Sequence, residues 1–310
     1  MLKNYFLIAG LSLLVVNRYI LPFSDQAQTI LFLAGLICVG IPHGGADQLI
    51  AIKTSNHFNL TFTAKRFALI YCAQISLFLL FFYFLPFPAI LIFLLMAAYH
   101  FGETDLHIFE CHSYPDKFLR LLYGLLILGI ILLPNIVTVQ MGLLNLNPAG
   151  TSAFFMEWLV HYNKEVLLFL FTFFWFTTLL AYIYRHDDTR YDWRNSVQLV
   201  ILMMVLYRLP LLLSFTFYFI AWHSVSSLIN MVNYLIEDRF YDSRTVIKEI
   251  IKNSFIVLIG ICVVGYICSF YFESDHIILS AIIGLAALTG PHMHIMNGMY
   301  AHMNAKPQPE

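Results

Sequence analysis

Long apolar runs fill this chain, broken at intervals by short clusters of charged and turn-forming residues. A helix that crosses a bilayer needs about 20 consecutive apolar residues. Runs of that kind predict ten spans, at 4–23, 28–52, 66–85, 87–110, 118–144, 163–184, 194–208, 210–236, 252–272 and 276–300. The seventh is short, and the YRLPL join at 207–211 reads either as a turn or as a kink, so the count is about 8–10. The expected fold is all-α, a polytopic transmembrane helix bundle forming a single integral membrane domain over residues 1–310. Between the fifth and sixth runs, FFMEWLVHY reads as a short interfacial helix anchored by Trp158 and Tyr162.

Composition agrees. Of 310 residues, 60% are hydrophobic and only 11% charged, against roughly 25% in soluble domains. Mean hydropathy is +0.76. A formal net charge of −1 argues against nucleic-acid binding, which needs a basic face. The N-terminal run lacks a small-residue cleavage site and reads as the first span, not a signal peptide. With ten spans, 14 basic residues from Lys3 to Lys306 fall on one side. Only Lys164 and Arg208 fall on the other, so both termini are expected to be cytoplasmic. Cys38, Cys72, Cys111, Cys262 and Cys268 form no CxxC pair and read as reduced packing residues.

Four histidines stand inside these runs: His43, His100, His223 and His292. A polar ring in hydrocarbon costs several kcal/mol unless something pairs with it. All four fall on even-numbered spans, at a depth of roughly 20 Å at 1.5 Å per residue. One depth on four helices is the geometry of a shared site, and metal is the commonest reason for imidazoles to converge.

Each histidine has chemistry beside it. In Gly40-Ile41-Pro42-His43-Gly44-Gly45-Ala46-Asp47, the proline bends a helix and Asp47 follows His43 by one turn. Asp47 is placed to orient the imidazole; otherwise His43 bonds a carbonyl freed at the kink. In His100-Phe101-Gly102-Glu103-Thr104-Asp105, Glu103 shares the histidine's face or has reached the interface, and Asp105 is expected at the interface. In Trp222-His223-Ser224-Val225-Ser226-Ser227, hydroxyls stand ready to bond the ring or helix carbonyls. Gly290-Pro291-His292-Met293-His294 repeats the proline–histidine device. His292 and His294 lie about 200° apart, so both reach one ion only if the helix breaks; His294 otherwise reads as structural or lipid-facing. His57, His107, His112, His161, His186, His276 and His302 lie in loops or at span ends and are expected to be solvated. No GxSxG, Walker A or HExxH motif is present, which leaves no hydrolase or NTPase signature.

Together these motifs resemble the Brp/Blh family of membrane β-carotene 15,15′-dioxygenases. The resemblance rests on Pro42-His43-Gly44 with Asp47, His100-Phe101-Gly102, His223-Ser224 and Pro291-His292-Met293, in that order over nearly the whole chain. It implies an iron enzyme of the bacterial inner membrane that uses O₂ to split β-carotene, or a similar carotenoid, at its central double bond into retinal. It implies Fe(II) held by His43, His100 and His223. The family has a further histidine four residues after the HS histidine, where this chain has Ser227. His292 then completes the set, or the site is altered. Rival readings are a bis-histidine haem protein, a proton-coupled transporter using Asp47 and Glu103, and a non-catalytic accessory factor in retinal-protein biogenesis.

Overall fold

The computed structural model describes residues 2–106, 114–146, 152–184, 193–237, 240–269 and 277–305. Among these there is no strand. Helix α1 spans Leu2–Val15 and widens into a π-helix at Val16–Ile20. Then come α2 (Asp25–Gly35), a second π stretch at Leu36–Gly40, α3 (Ile41–Gly45) and α4 (Asp47–His57). Next are α5 (Ala64–Phe84), α6 (Pro86–Asp105) and α7 (Tyr114–Leu132), followed by α8 (Ile136–Leu146) and α9 (Ser152–His161). They are followed by α10 (Asn163–Tyr184), α11 (Trp193–Arg208) and α12 (Leu211–Thr216), then a third π stretch at Phe217–Ser224. The chain ends with α13 (Val225–Ile236), α14 (Ser243–Ser269) and α15 (Ile277–Ala305).

Among the described residues, helices run through each of the ten expected spans. Six described stretches are long and apolar enough to cross a membrane: Asp25–His57, Ala64–Phe84, Pro86–Asp105, Asp116–Leu143, Asn163–Ile183 and Leu211–Ile236. The chain is an integral membrane protein. Helix α11 has 16 residues, the short seventh run, and Pro210 stands extended (ψ 154°) before α12, so the 207–211 join is a break. Helix α9 occupies the expected interfacial segment. Helix α5 buries none of its residues and α10 leaves Leu168, Phe169 and Leu179 exposed, the faces expected against acyl chains.

The chain divides into two compact units, each drawn from both halves of the sequence: Met1–Leu33 with Pro86–His223, and Ala34–Leu85 with Ser224–Glu310. In the first, α6 and α7 interlock. A Cβ on Gly102 would overlap the Arg120 carbonyl, and one on Gly124 would overlap the Ala98 carbonyl. Each helix sets a glycine against the other's backbone, the close approach that small residues permit in membranes. Leu126, Ile127 and Ile131 of α7 are fully covered.

In the second unit, Ala46, Ile50, Met231, Leu235, Val246, Met296 and Met299 form a core with no exposed surface. Lys53, expected on a loop side, is buried, and its ammonium donates to the carbonyls of Tyr234 and, at 2.9 Å, Glu237. A cation there meets the negative end of α13. His302 was expected to be solvated but is buried, with Nδ1 2.6 Å from the Tyr234 hydroxyl. Its ring stacks on His57 at 3.5 Å. The length of α15 explains this, because it carries the last turn back over α4 and α13 instead of ending at residue 300. His57 and His161 are exposed, as expected, while His107, His112, His186 and His276 lie outside the described residues. Cys38, Cys72 and Cys262 are free thiols but are exposed on outward helix faces, not packed inside.

Candidate metal centre

The first unit brings His100 and His223 together. The end of α6 is buried all round: Ala97, Ala98 and every residue from His100 to Asp105. His223 sits in the π stretch Phe217–Ser224 with no exposed surface. The two imidazole centroids are 4.9 Å apart, edge to face, and Phe101 lies 4.8 Å from His223. π turns inside helices recur at functional sites because they re-aim side chains.

Asp105 holds this arrangement. Expected at the interface, it is buried, and its Oδ2 accepts from Tyr123 Oη (2.7 Å), Tyr218 Oη (2.9 Å) and Trp222 Nε1 (3.1 Å). These three bonds offset part of the cost of taking the carboxylate out of water. Tyr218 and Trp222 precede His223 in the same π stretch, so Asp105 ties the His223 segment to the helix that carries His100. Glu103 pairs with Arg120 at 3.6 Å, both buried. Arg120 therefore belongs to the interior, not to the loop side where its position near a span end had placed it.

The second unit brings His43 and His292 together, ring centroids 4.5 Å apart. Pro42 has no N–H and its ring crowds the carbonyl four residues back; the wide turn at Leu36–Gly40 opens the helix there. His43 is buried in the short α3 that follows. Helix α3 stops at Gly45 and α4 starts at Asp47, so the one-turn register between His43 and Asp47 does not carry across the break. Asn253 donates to the Gly45 carbonyl at this break (3.2 Å).

Asp47 was expected to orient His43. Its Oδ1 instead accepts from His292 Nδ1 at 2.7 Å, and its Oδ2 accepts from the Tyr71 hydroxyl at 2.9 Å. A carboxylate on Nδ1 fixes the ring's tautomer and leaves the lone pair of the neutral ring on Nε2, the usual preparation of a metal-binding histidine. Helix α15 runs unbroken through Pro291, so His292 is buried while His294 faces outward. His294 is thereby separated from His292 by the rotation of an intact helix. Ser227 is fully buried on the turn after His223.

Tyr71, Tyr123 and Tyr218 were not singled out by sequence. A tyrosine in an apolar run carries no local mark of its partner.

The donors are buried imidazoles without a thiolate, a set that suits a first-row divalent ion such as Fe(II). A protein of the uncultured marine bacterium 66A03, named β-carotene 15,15′-dioxygenase, is 27% identical over 277 residues, covering 86% of this chain and 92% of that protein. No solved structure matches. The family model described as β-carotene 15,15′-dioxygenase matches residues 34–300, a range that takes in both histidine pairs, Asp47, Asp105 and Ser227. The chain belongs to the β-carotene 15,15′-dioxygenase family.

Proposed function

We propose that this protein cleaves β-carotene, or a closely similar carotenoid, at the central 15,15′ double bond with O₂, giving two retinal molecules. One oxygen atom of O₂ ends on each carbon of the broken double bond, so the reaction balances without a further reductant. The observation that carries this reading is the placement of buried imidazole pairs, His100 with His223 and His43 with His292, in a member of this family. His43, His100 and His223 would hold one Fe(II), with His292 supplying a fourth imidazole in place of the one absent at Ser227. Bound Fe(II) supplies the centre for oxygen chemistry.

The chain's own residues do the rest. Asp47 holds the His292 ring in one orientation, and Asp105 holds the segment that presents His223. Phe101 packs against His223 and Tyr218 (4.9 Å), and so helps to keep water from the histidines. A carotenoid dissolves in the bilayer that the apolar helices are long enough to cross, which supports this reading. The membrane is proposed to be the bacterial inner membrane, with both termini cytoplasmic.

Co-expression with the genes for β-carotene synthesis in bacteria tests this. The expected outcome is loss of orange colour with retinal in the cell extract. Alanine at His43, His100 or His223 should restore the colour and lower the iron content of purified protein. Retention of colour by cells making the unaltered protein at normal levels would remove the enzymatic reading.

A further inference from the structure

In the second unit, helix α14 turns one face to the break between α3 and α4. Val246, Ile250 and Asn253 share that face at i, i+4 and i+7. The first two enter the core with Ala46 and Ile50. The third is polar yet buried, where the pattern calls for another apolar residue. Burying an amide is unfavourable unless something bonds it. Its partner is the carbonyl of Gly45, the last residue of α3, to which Asn253 Nδ2 donates at 3.2 Å. A carbonyl only accepts, so the NH₂ end of the amide must face it.

The last carbonyls of a helix have no partner ahead of them in that helix, and a buried one needs an outside donor. Gly45 also packs directly on α14. A Cβ there would press on the Ser254 hydroxyl and the Ile250 carbonyl, whereas one on Gly44 would meet open space. The end of α3 is therefore clamped to α14 by a hydrogen bond and by a close backbone approach. What the clamp holds follows at once in sequence. Ala46 is the turn between the helices (φ −78°, ψ −16°), and Asp47 begins α4. An unbroken helix would set Asp47 one turn from His43 on the same face. Across the break it accepts from His292 at 2.7 Å and from Tyr71 at 2.9 Å.

We infer that Asn253 is a positioning residue for the histidine site: its bond to Gly45 fixes the α3–α4 break and so aims Asp47 at His292. The role in the site rests on His292 belonging to the centre proposed above. The aim of Asp47 can be read without metal or substrate.

The test is NMR of the metal-free protein in detergent, labelled with ¹⁵N-histidine. A ring N–H held by a buried carboxylate gives a signal far downfield and protected from exchange, and His292→Gln, which lacks it, assigns it. Asn253→Leu, similar in size but without a donor, should abolish or shift that signal. Asn253→Gln, which keeps the amide, should retain it. Asn253→Ser, too short to reach the Gly45 carbonyl and milder on folding, should behave as the leucine variant does and serves if that variant does not fold. Chelator competition should show iron held about tenfold less tightly in Asn253→Leu, the lower end of what loss of an outer partner of a ligating histidine costs. An unchanged His292 signal in the leucine and serine variants overturns the positioning role, whatever their stability. Loss of the signal in Asn253→Gln as well assigns the effect to packing and also overturns it. A shifted signal with unchanged iron affinity upholds the positioning of Asp47 and removes His292 from the iron site.

Discussion

Replacing Asp105 by alanine should damage the fold and the His100–His223 pair together. One carboxylate oxygen accepts three hydrogen bonds, from Tyr123, Tyr218 and Trp222, all within a buried region. Each hydrogen bond to a charged group contributes about 1.5–3 kcal/mol, though measured interhelical bonds in membranes average about 0.6. Removing the acceptor also leaves three buried donors, each costing about 1–3 kcal/mol if nothing replaces it. Relief of the carboxylate's own desolvation works the other way. The balance is a loss of about 4 kcal/mol for Asp105→Ala, and about 2 for Asp105→Asn, which keeps a neutral acceptor. Tyr123→Phe, which removes one donor, should cost about 1 kcal/mol. Unfolding in mixed micelles, followed by helical circular dichroism, gives the three stabilities on one scale. Iron content of the same samples reports on the pair, because Tyr218 and Trp222 belong to the π stretch that bears His223. If Asp105→Ala costs no more than Tyr123→Phe, the three bonds are not a unit and the argument fails.

Gly124→Ala forces a Cβ onto the Ala98 carbonyl, so α6 and α7 must part; a loss of about 3 kcal/mol is expected in the same unfolding assay. Ser227→His should keep or strengthen iron binding and make His292→Ala less damaging than it is in the natural background. A double-mutant cycle on iron content would show shared duty as non-additivity, and strict additivity would exclude compensation. Asp242 caps α14 by accepting from the backbone N–H groups of Arg244 and Thr245, both at 3.0 Å. The Thr245 side chain and backbone hold its carboxyl below the ordinary range. Its contribution is therefore present above the unfolded-state value near 4 and is lost as pH falls through the lower folded value. Stability of Asp242→Asn measured against pH should lack that acid-side component of the unaltered chain.

The helical class was legible because hydrocarbon leaves the backbone no partner but itself, so an apolar run of sufficient length has one solution. The same economy made the four histidines visible, since a ring in such a run needs a partner and all four are in fact buried. Burial could be read locally; partnership could not. Asp47 follows His43 in sequence, yet its carboxylate serves His292, 245 residues away, because the helix breaks at Ala46 and resets the register. Asp105, Arg120 and Lys53 looked like interface charges because each lies near the end of an apolar run. Tertiary packing covered them instead and supplied three donors, an acid and two helix-terminal carbonyls. A charge near a span end is equally close to water and to the neighbouring helices. The run of residues states that a partner is required, and only the packing of helices distant in sequence decides which one arrives.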